Sequence, residues 1–91
     1  MARDKVLERY VADNPDLQQR AIEIGARFKA ARENSKKSKT AVAKLARMST
    51  RTITNIENGS YVLKIIAPIQ MYLDACGSDL MVDIQVTRIG Q

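Results

Sequence analysis

Two serines eleven residues apart, Ser38 and Ser49, each stand just before a short run with apolar residues at helical spacing, and the second run closes on Glu57-Asn58-Gly59. Serine is a strong N-cap because its hydroxyl accepts from a backbone N–H that the first helical turn leaves unpaired. Gly59 can take the left-handed conformation that ends a helix, without the steric cost of a Cβ. The stretch SKTAVAKLARMSTRTITNIENG therefore predicts two short helices joined by a tight turn. Ala41, Val42 and Leu45 supply the apolar side of the first, and Ile53 and Ile56 that of the second. Ala43 is the small residue at which the two can approach closely. With Val42, Met48, Ile53 and Ile56 it makes the expected core of the unit.

The flanks carry further helical periodicity. From Arg3 to Asp13, residues Val6, Leu7, Tyr10 and Val11 fall on one face. Asn14-Pro15 then predicts a cap followed by a first helical residue, opening a second helix that runs to about Glu33 with Leu17, Ala21, Ile24 and Phe28 on one side. Asn34 to Lys37 is a polar, basic linker. A fifth helix fits from about Lys64 to Ala75. Proline is tolerated only in a first turn, so Pro68 moves its expected start to Ile65 or Ile66, and Gly77 stops it.

The tail changes period. Leu80, Val82, Ile84 and Val86 alternate with Met81, Asp83, Gln85 and Thr87, which predicts a strand with one buried face. A lone strand leaves its backbone groups unpaired, and no second strand is evident in the chain. Pairing with the same strand of another subunit is the simplest solution; folding back on the domain is the other.

Ninety-one residues suit one small domain of thin stability margin, which dimerisation would help. The expected organisation is an N-terminal extension helix over 1–14, the main domain over 15–77, and a C-terminal strand and tail over 78–91. A single cysteine, Cys76, and no histidine exclude an intramolecular disulfide and a Cys/His zinc site. Cys76 itself reads as a small core hydrophobe. The N-terminus lacks the apolar core of a signal peptide, and no apolar run approaches the ~20 residues of a membrane span. A reducing cytoplasm fits. No Gly-rich phosphate loop, nucleophile elbow or metal-ligand cluster points to catalysis or to a cofactor. The net charge of +5, with a pI near 9.7, suits a polyanionic partner.

The segment Ser38 to Gly59 resembles the DNA-binding half of the Cro/C1-type (Xre-type) helix-turn-helix family, and more loosely the resemblance runs from about Phe28 to Ile84. It implies a mainly α, five-helix lambda-repressor-like domain, here followed by the C-terminal strand. It also implies a homodimer bound to double-stranded DNA. In such a unit the second helix offers polar side chains at its N-terminal end to base edges. That face falls to Thr50, Arg51, Thr54 and Asn55. Arg51 can make a bidentate contact to guanine and Asn55 to adenine, and a threonine methyl can pack on that of thymine. In the family, the positions matching Thr50, Arg51 and Asn55 usually face bases, and the one matching Thr52 a phosphate. Further phosphate contacts would come from Lys36, Lys37, Lys39 and Lys64, and from amides at Ser38, Asn58 and Gly59. The residues matching Arg32 and Glu57 form an internal ion pair in similar domains.

Two positions depart from the family pattern. Lys39 replaces the usual glutamine, which keeps phosphate attraction but predicts the loss of that amide's hydrogen bonds to the next helix. Arg47 stands where glycine is common in the turn, at a cost of about 1 kcal/mol if its φ is positive. The end of the fifth helix and the following alternation, Ile69 to Ile84, look like the C-terminal portion of Hig-type antitoxins. That likeness would imply a toxin partner beside operator binding. A protein-interaction module of the same fold, without DNA binding, is the reading from a different class.

Overall fold

The computed structural model describes residues 2–87. Five helices follow one another: α1 (Ala2–Ala12), α2 (Pro15–Asn34), α3 (Lys39–Ala46), α4 (Thr50–Glu57) and α5 (Ser60–Ala75). The core lies between α2 and α5, where Leu17, Ala21 and Ile24 meet Val62, Ile66 and Ala67. Leu7, Tyr10 and Val11 of α1 pack against the same core. The fourth residue expected on that face, Val6, is exposed.

Two glycines set how closely α2 passes the junction of α4 and α5. A Cβ at Gly25 would fall 2.7 Å from the Glu57 carbonyl oxygen and 2.7 Å from the Gly59 nitrogen. Gly59 has φ 91°, and a Cβ there would fall 2.7 Å from the Ala21 carbonyl oxygen. The chain can turn from α4 into α5 against α2 only because both positions lack a side chain.

Several expectations are corrected. The fifth helix starts at Ser60, not at Ile65 or Ile66, and Pro68 lies inside it. Proline removes one helical hydrogen bond, but Pro68 is on the exposed side, where water can reach the freed carbonyl. The opposite face, with Val62, Ile66, Ala67 and Gln70, is buried and holds the helix together through packing. Asn14 occupies the N-cap position of α2 without a side-chain cap; its amide donates back to the Tyr10 carbonyl at 2.7 Å, at the end of α1. Leu45, at 72% exposure, lies off the inner side of α3, Met48 is also exposed, and Cys76 is exposed beyond the last turn of α5 rather than in the core.

The largest correction is the tail. Among the described residues there is no strand; the Ser78 amide still bonds back to the Leu73 carbonyl at the end of α5, and residues 79–87 run extended over the domain without a backbone partner. Side chains take the place of the missing strand. Gln70, buried in α5, donates to the Leu80 carbonyl at 3.0 Å and accepts from the Val82 amide at 2.9 Å. Arg20 donates to the Val82 carbonyl and Arg27 to that of Ile84, each at 3.1 Å. Val82 and Ile84 turn inward against the core, while Leu80 and Val86 stay exposed. The two-residue period is therefore real at its centre, but it reports an extended segment clamped to helices. No described helix is long and apolar enough to cross a membrane.

Candidate nucleic-acid interface

The interface is built from the caps outward. Ser38 Oγ accepts from the Ala41 amide and Ser49 Oγ from the Thr52 amide, each at 3.1 Å, starting α3 and α4 at defined residues. Between them Arg47 adopts the left-handed conformation at φ 58°, ψ 45°. The turn thus keeps the geometry for which glycine is favoured and accepts the strain of an arginine there. Its amide and that of Met48 bond back to the Lys44 and Ala43 carbonyls, closing α3. Ala43 and Ile53 are buried where α3 meets α4, and Val42 and Ile56 are half-buried beside them. Phe28, Val42, Ala46, Met48 and Ile56 surround an open pocket between α2 and the motif, so Met48 lines this unit without being sealed in it.

Arg32 ties the motif to α2. Its Nε donates to Glu57 at 2.6 Å, its Nη2 to the other carboxylate oxygen at 3.1 Å, and its Nη1 to the Lys37 carbonyl at 2.9 Å. One guanidinium therefore holds the last turn of α4 and the loop leading into α3. Only 14% of the Arg32 side chain and 7% of the Glu57 side chain are exposed. The hydrogen bonds from Arg32, followed by its charge and those of Lys39 and Lys29, hold the Glu57 carboxyl below its ordinary range against the opposing effect of burial. The same bonds raise the Arg32 pKa, so the guanidinium stays charged.

The outward residues divide into free and engaged. Thr50 and Arg51 are exposed, with no side-chain partner among the described residues. Thr54 is also exposed, but its hydroxyl accepts from Lys39 Nζ at 3.2 Å. Lys39, half-buried, thus still links α3 to α4, contrary to the expected loss of that link, because the ammonium donates as the amide would. Asn55 is half-buried; its main-chain carbonyl accepts from Ser60 Oγ, while its side-chain amide has no partner among the described residues. The Thr52 hydroxyl bonds to Ser49 Oγ, and Asn58 Oδ1 accepts from the Ser60 amide at 2.9 Å. Lys36 and Lys37 are exposed in the loop before α3, Lys36 at φ 56°. Lys64 lies elsewhere on the molecule's surface chemistry: it lines a cleft between α1 and α5 with Leu7, Glu8 and Val11.

Two cations escaped the sequence expectations. Lys44 and Arg47 are both exposed within the same segment. The signal for them is an acid-free run. Between Glu33 and Glu57 there are six cations (Lys36, Lys37, Lys39, Lys44, Arg47 and Arg51) and no carboxylate, while the other nine Lys and Arg face ten Asp and Glu. The positive charge of the chain thus belongs to the α3–α4 unit and its flanking loops. Such a surface attracts polyanions, and its free hydrogen-bonding groups sit on a helix about 12 Å long.

A family model described as a helix-turn-helix domain matches residues 23–78, more than half of the chain. No curated protein and no solved structure gives a significant match.

Proposed function

The chain belongs to the helix-turn-helix domain family, and from that premise we propose that it is a sequence-specific transcriptional regulator that reads an inverted-repeat operator as a homodimer. The observation that carries this reading is the pairing of a free, polar N-terminal end of α4 with an acid-free basic segment around it. α4 enters the major groove, where Arg51 and Asn55 read guanine and adenine edges and Thr50 and Thr54 pack or bond beside them. Lys39 positions Thr54 as well as supplying charge. Phosphates are met by Lys36, Lys37, Thr52, Asn58 and the amides at the starts of α3 and α4, with Lys44 and Arg47 extending that surface. In the dimer, two copies of α4 would lie about 34 Å apart, one turn of DNA. Bound at a promoter, the pair would exclude polymerase and act as a repressor.

A toxin partner has less support. The likeness rests on a helix end followed by a strand, and among the described residues only the helix end is formed. The protein-interaction reading is opposed by the charge of the motif. The experiment that separates them is selection from a random duplex library at near-physiological salt. Recovery of an inverted repeat supports the regulator, and recovery of no motif favours the interaction module.

A further inference from the structure

Of Thr50, Arg51, Thr54 and Asn55 on α4, Thr54 alone has a side-chain partner among the described residues: its hydroxyl oxygen lies 3.2 Å from Lys39 Nζ. The direction of that bond admits no choice. A protonated lysine has three donors and no acceptor, whereas a threonine hydroxyl has one hydrogen and two lone pairs. Lys39 therefore donates and Thr54 accepts, which leaves the hydroxyl hydrogen over. A helical threonine commonly gives that hydrogen to the carbonyl four residues back, as Ser35 does to Ala31 at 3.0 Å. Thr54 makes no such bond to Thr50 among the described residues, and its side chain is exposed.

Lys39 is held in place on the inner side of this contact. It is half-buried at the start of α3. Its charge also reaches Glu57, three residues along α4 from Thr54, and helps hold that carboxyl below its ordinary range. Arg32 bonds both Glu57 oxygens, so the ammonium meets Glu57 through charge and Thr54 through a hydrogen bond. A cation that donates to a hydroxyl polarises it, and the remaining hydrogen becomes a stronger donor. Thr54 thus has a hydrogen to give and a reduced capacity to accept.

In the major groove that distinction divides the bases in two. Guanine and thymine show a carbonyl, O6 or O4, where cytosine and adenine show an amino group, N4 or N6. We infer that Lys39 sets the polarity of Thr54, and that Thr54 thereby selects a keto base, guanine or thymine, over an amino base at one base pair of each half-site. Lys39 is a positioning residue for specificity as well as a source of charge. The inference rests on the operator reading above and names the base chemistry that one of its contacts takes. A single hydrogen bond of this kind gives a preference of roughly three- to tenfold.

The test is selection from a random duplex library at near-physiological salt, with the full chain as wild type, Thr54→Val, Lys39→Gln and Lys39→Arg. The readout is the base ratio at each position and not the affinity, since removing a cation weakens all sequences alike. Thr54→Val keeps the shape and removes the hydroxyl, so the position whose preference it abolishes is the one Thr54 meets. There the wild type should favour the keto base. Lys39→Gln should level that preference, because the glutamine carbonyl can take the Thr54 hydrogen and free its oxygen to accept from an amino group. Lys39→Arg should keep it, because a guanidinium again only donates. A keto preference that survives Lys39→Gln, an amino preference in the wild type, or a Thr54→Val chain with every preference intact overturns this assignment and leaves the operator reading standing. A wild type that recovers no motif overturns both.

Discussion

The space between Gly25 and Gly59 is closed by backbone: a Cβ on Gly25 would lie 2.7 Å from the Gly59 nitrogen, and one on Gly59 would meet the Ala21 carbonyl one turn earlier on α2. The atoms it would strike are main-chain atoms, which cannot swing aside, so α2 would have to part from the α4–α5 junction. Gly25→Ala should therefore destabilise the fold by about 1–3 kcal/mol. Gly59→Ala should cost at least as much, since it adds the strain of a side chain at φ 91°. The double variant should lose less than the sum, because the first separation relieves the second clash. Urea unfolding of the three chains measures this, and strict additivity would mean the two glycines act at separate contacts.

Glu57 should dominate the acid limit of stability. Its folded pKa is lowered from 4.5, chiefly by the hydrogen bonds from Arg32. A lowered carboxylate stabilises the fold above its unfolded value, and that stabilisation is lost as pH falls through the folded pKa. Wild type should hold a steady melting temperature down to about pH 5 and lose it below. Glu57→Gln should melt several degrees lower at neutral pH and lose less on acidification, because Arg32 is then left without its anion at every pH. Parallel melting curves for the two chains from pH 7 to pH 3 would remove Glu57 from this role.

At the alkaline end the corresponding group is Tyr10. Its hydroxyl donates to Asp74, and its pKa is pushed up to about 12 from 10.0, by burial first and then by the bond to the carboxylate. A raised pKa stabilises the fold below the unfolded value and loses that contribution as pH rises through the folded one. Wild-type stability should decline from pH 10 toward 12, and Tyr10→Phe should remove that part of the decline. The same variant should raise the Asp74 pKa, whose lowering comes first from the Tyr10 hydrogen bond. NMR titration of the Asp74 carboxyl checks this, and no movement would disconnect α1 from the end of α5.

Gln70 should govern the tail. Gln70→Ala removes the acceptor for the Val82 amide and the donor to the Leu80 carbonyl. Faster hydrogen exchange at Val82 is expected, with a loss of about 1–3 kcal/mol in global stability. Unchanged protection at Val82 would show that Arg20, Arg27 and the apolar contacts hold the segment without the amide.

Local chemistry explains which parts of this fold could be seen in the chain. Ser38, Ser49 and Gly59 act on atoms within three residues, so the ends of α3 and α4 follow from neighbours alone. The five helices follow from apolar spacing in the same way. Gln70 is different: its partners are ten and twelve residues away, and a glutamine in a helix announces nothing about them. The alternation of Leu80 to Val86 is equally compatible with a strand and with a clamped extended segment. Pro68 misplaced the start of α5 because the local rule ignores the packing that overrides it. Gly25 gave no signal, since its need arises from the junction it faces. Within the candidate interface, spacing placed Thr50, Arg51 and Thr54 on the exposed side of α4, whereas Asn55 is half-buried, and the bond from Lys39 to Thr54 depends on how two helices cross.

The central claim is that Arg51 reads a base. The most direct measurement is the affinity of wild type and Arg51→Ala for the selected operator and for random duplex DNA, across a salt series, with Lys37→Ala as the phosphate control. Lys37 suits that control because its side chain is exposed and without an internal partner, unlike Lys39. Arg51→Ala should lose about 1–3 kcal/mol of discrimination at one base pair of each half-site. Lys37→Ala should weaken both DNAs alike and reduce the salt slope by about one per subunit. Equal losses on operator and random DNA for Arg51→Ala would contradict the claim and leave Arg51 among the phosphate contacts.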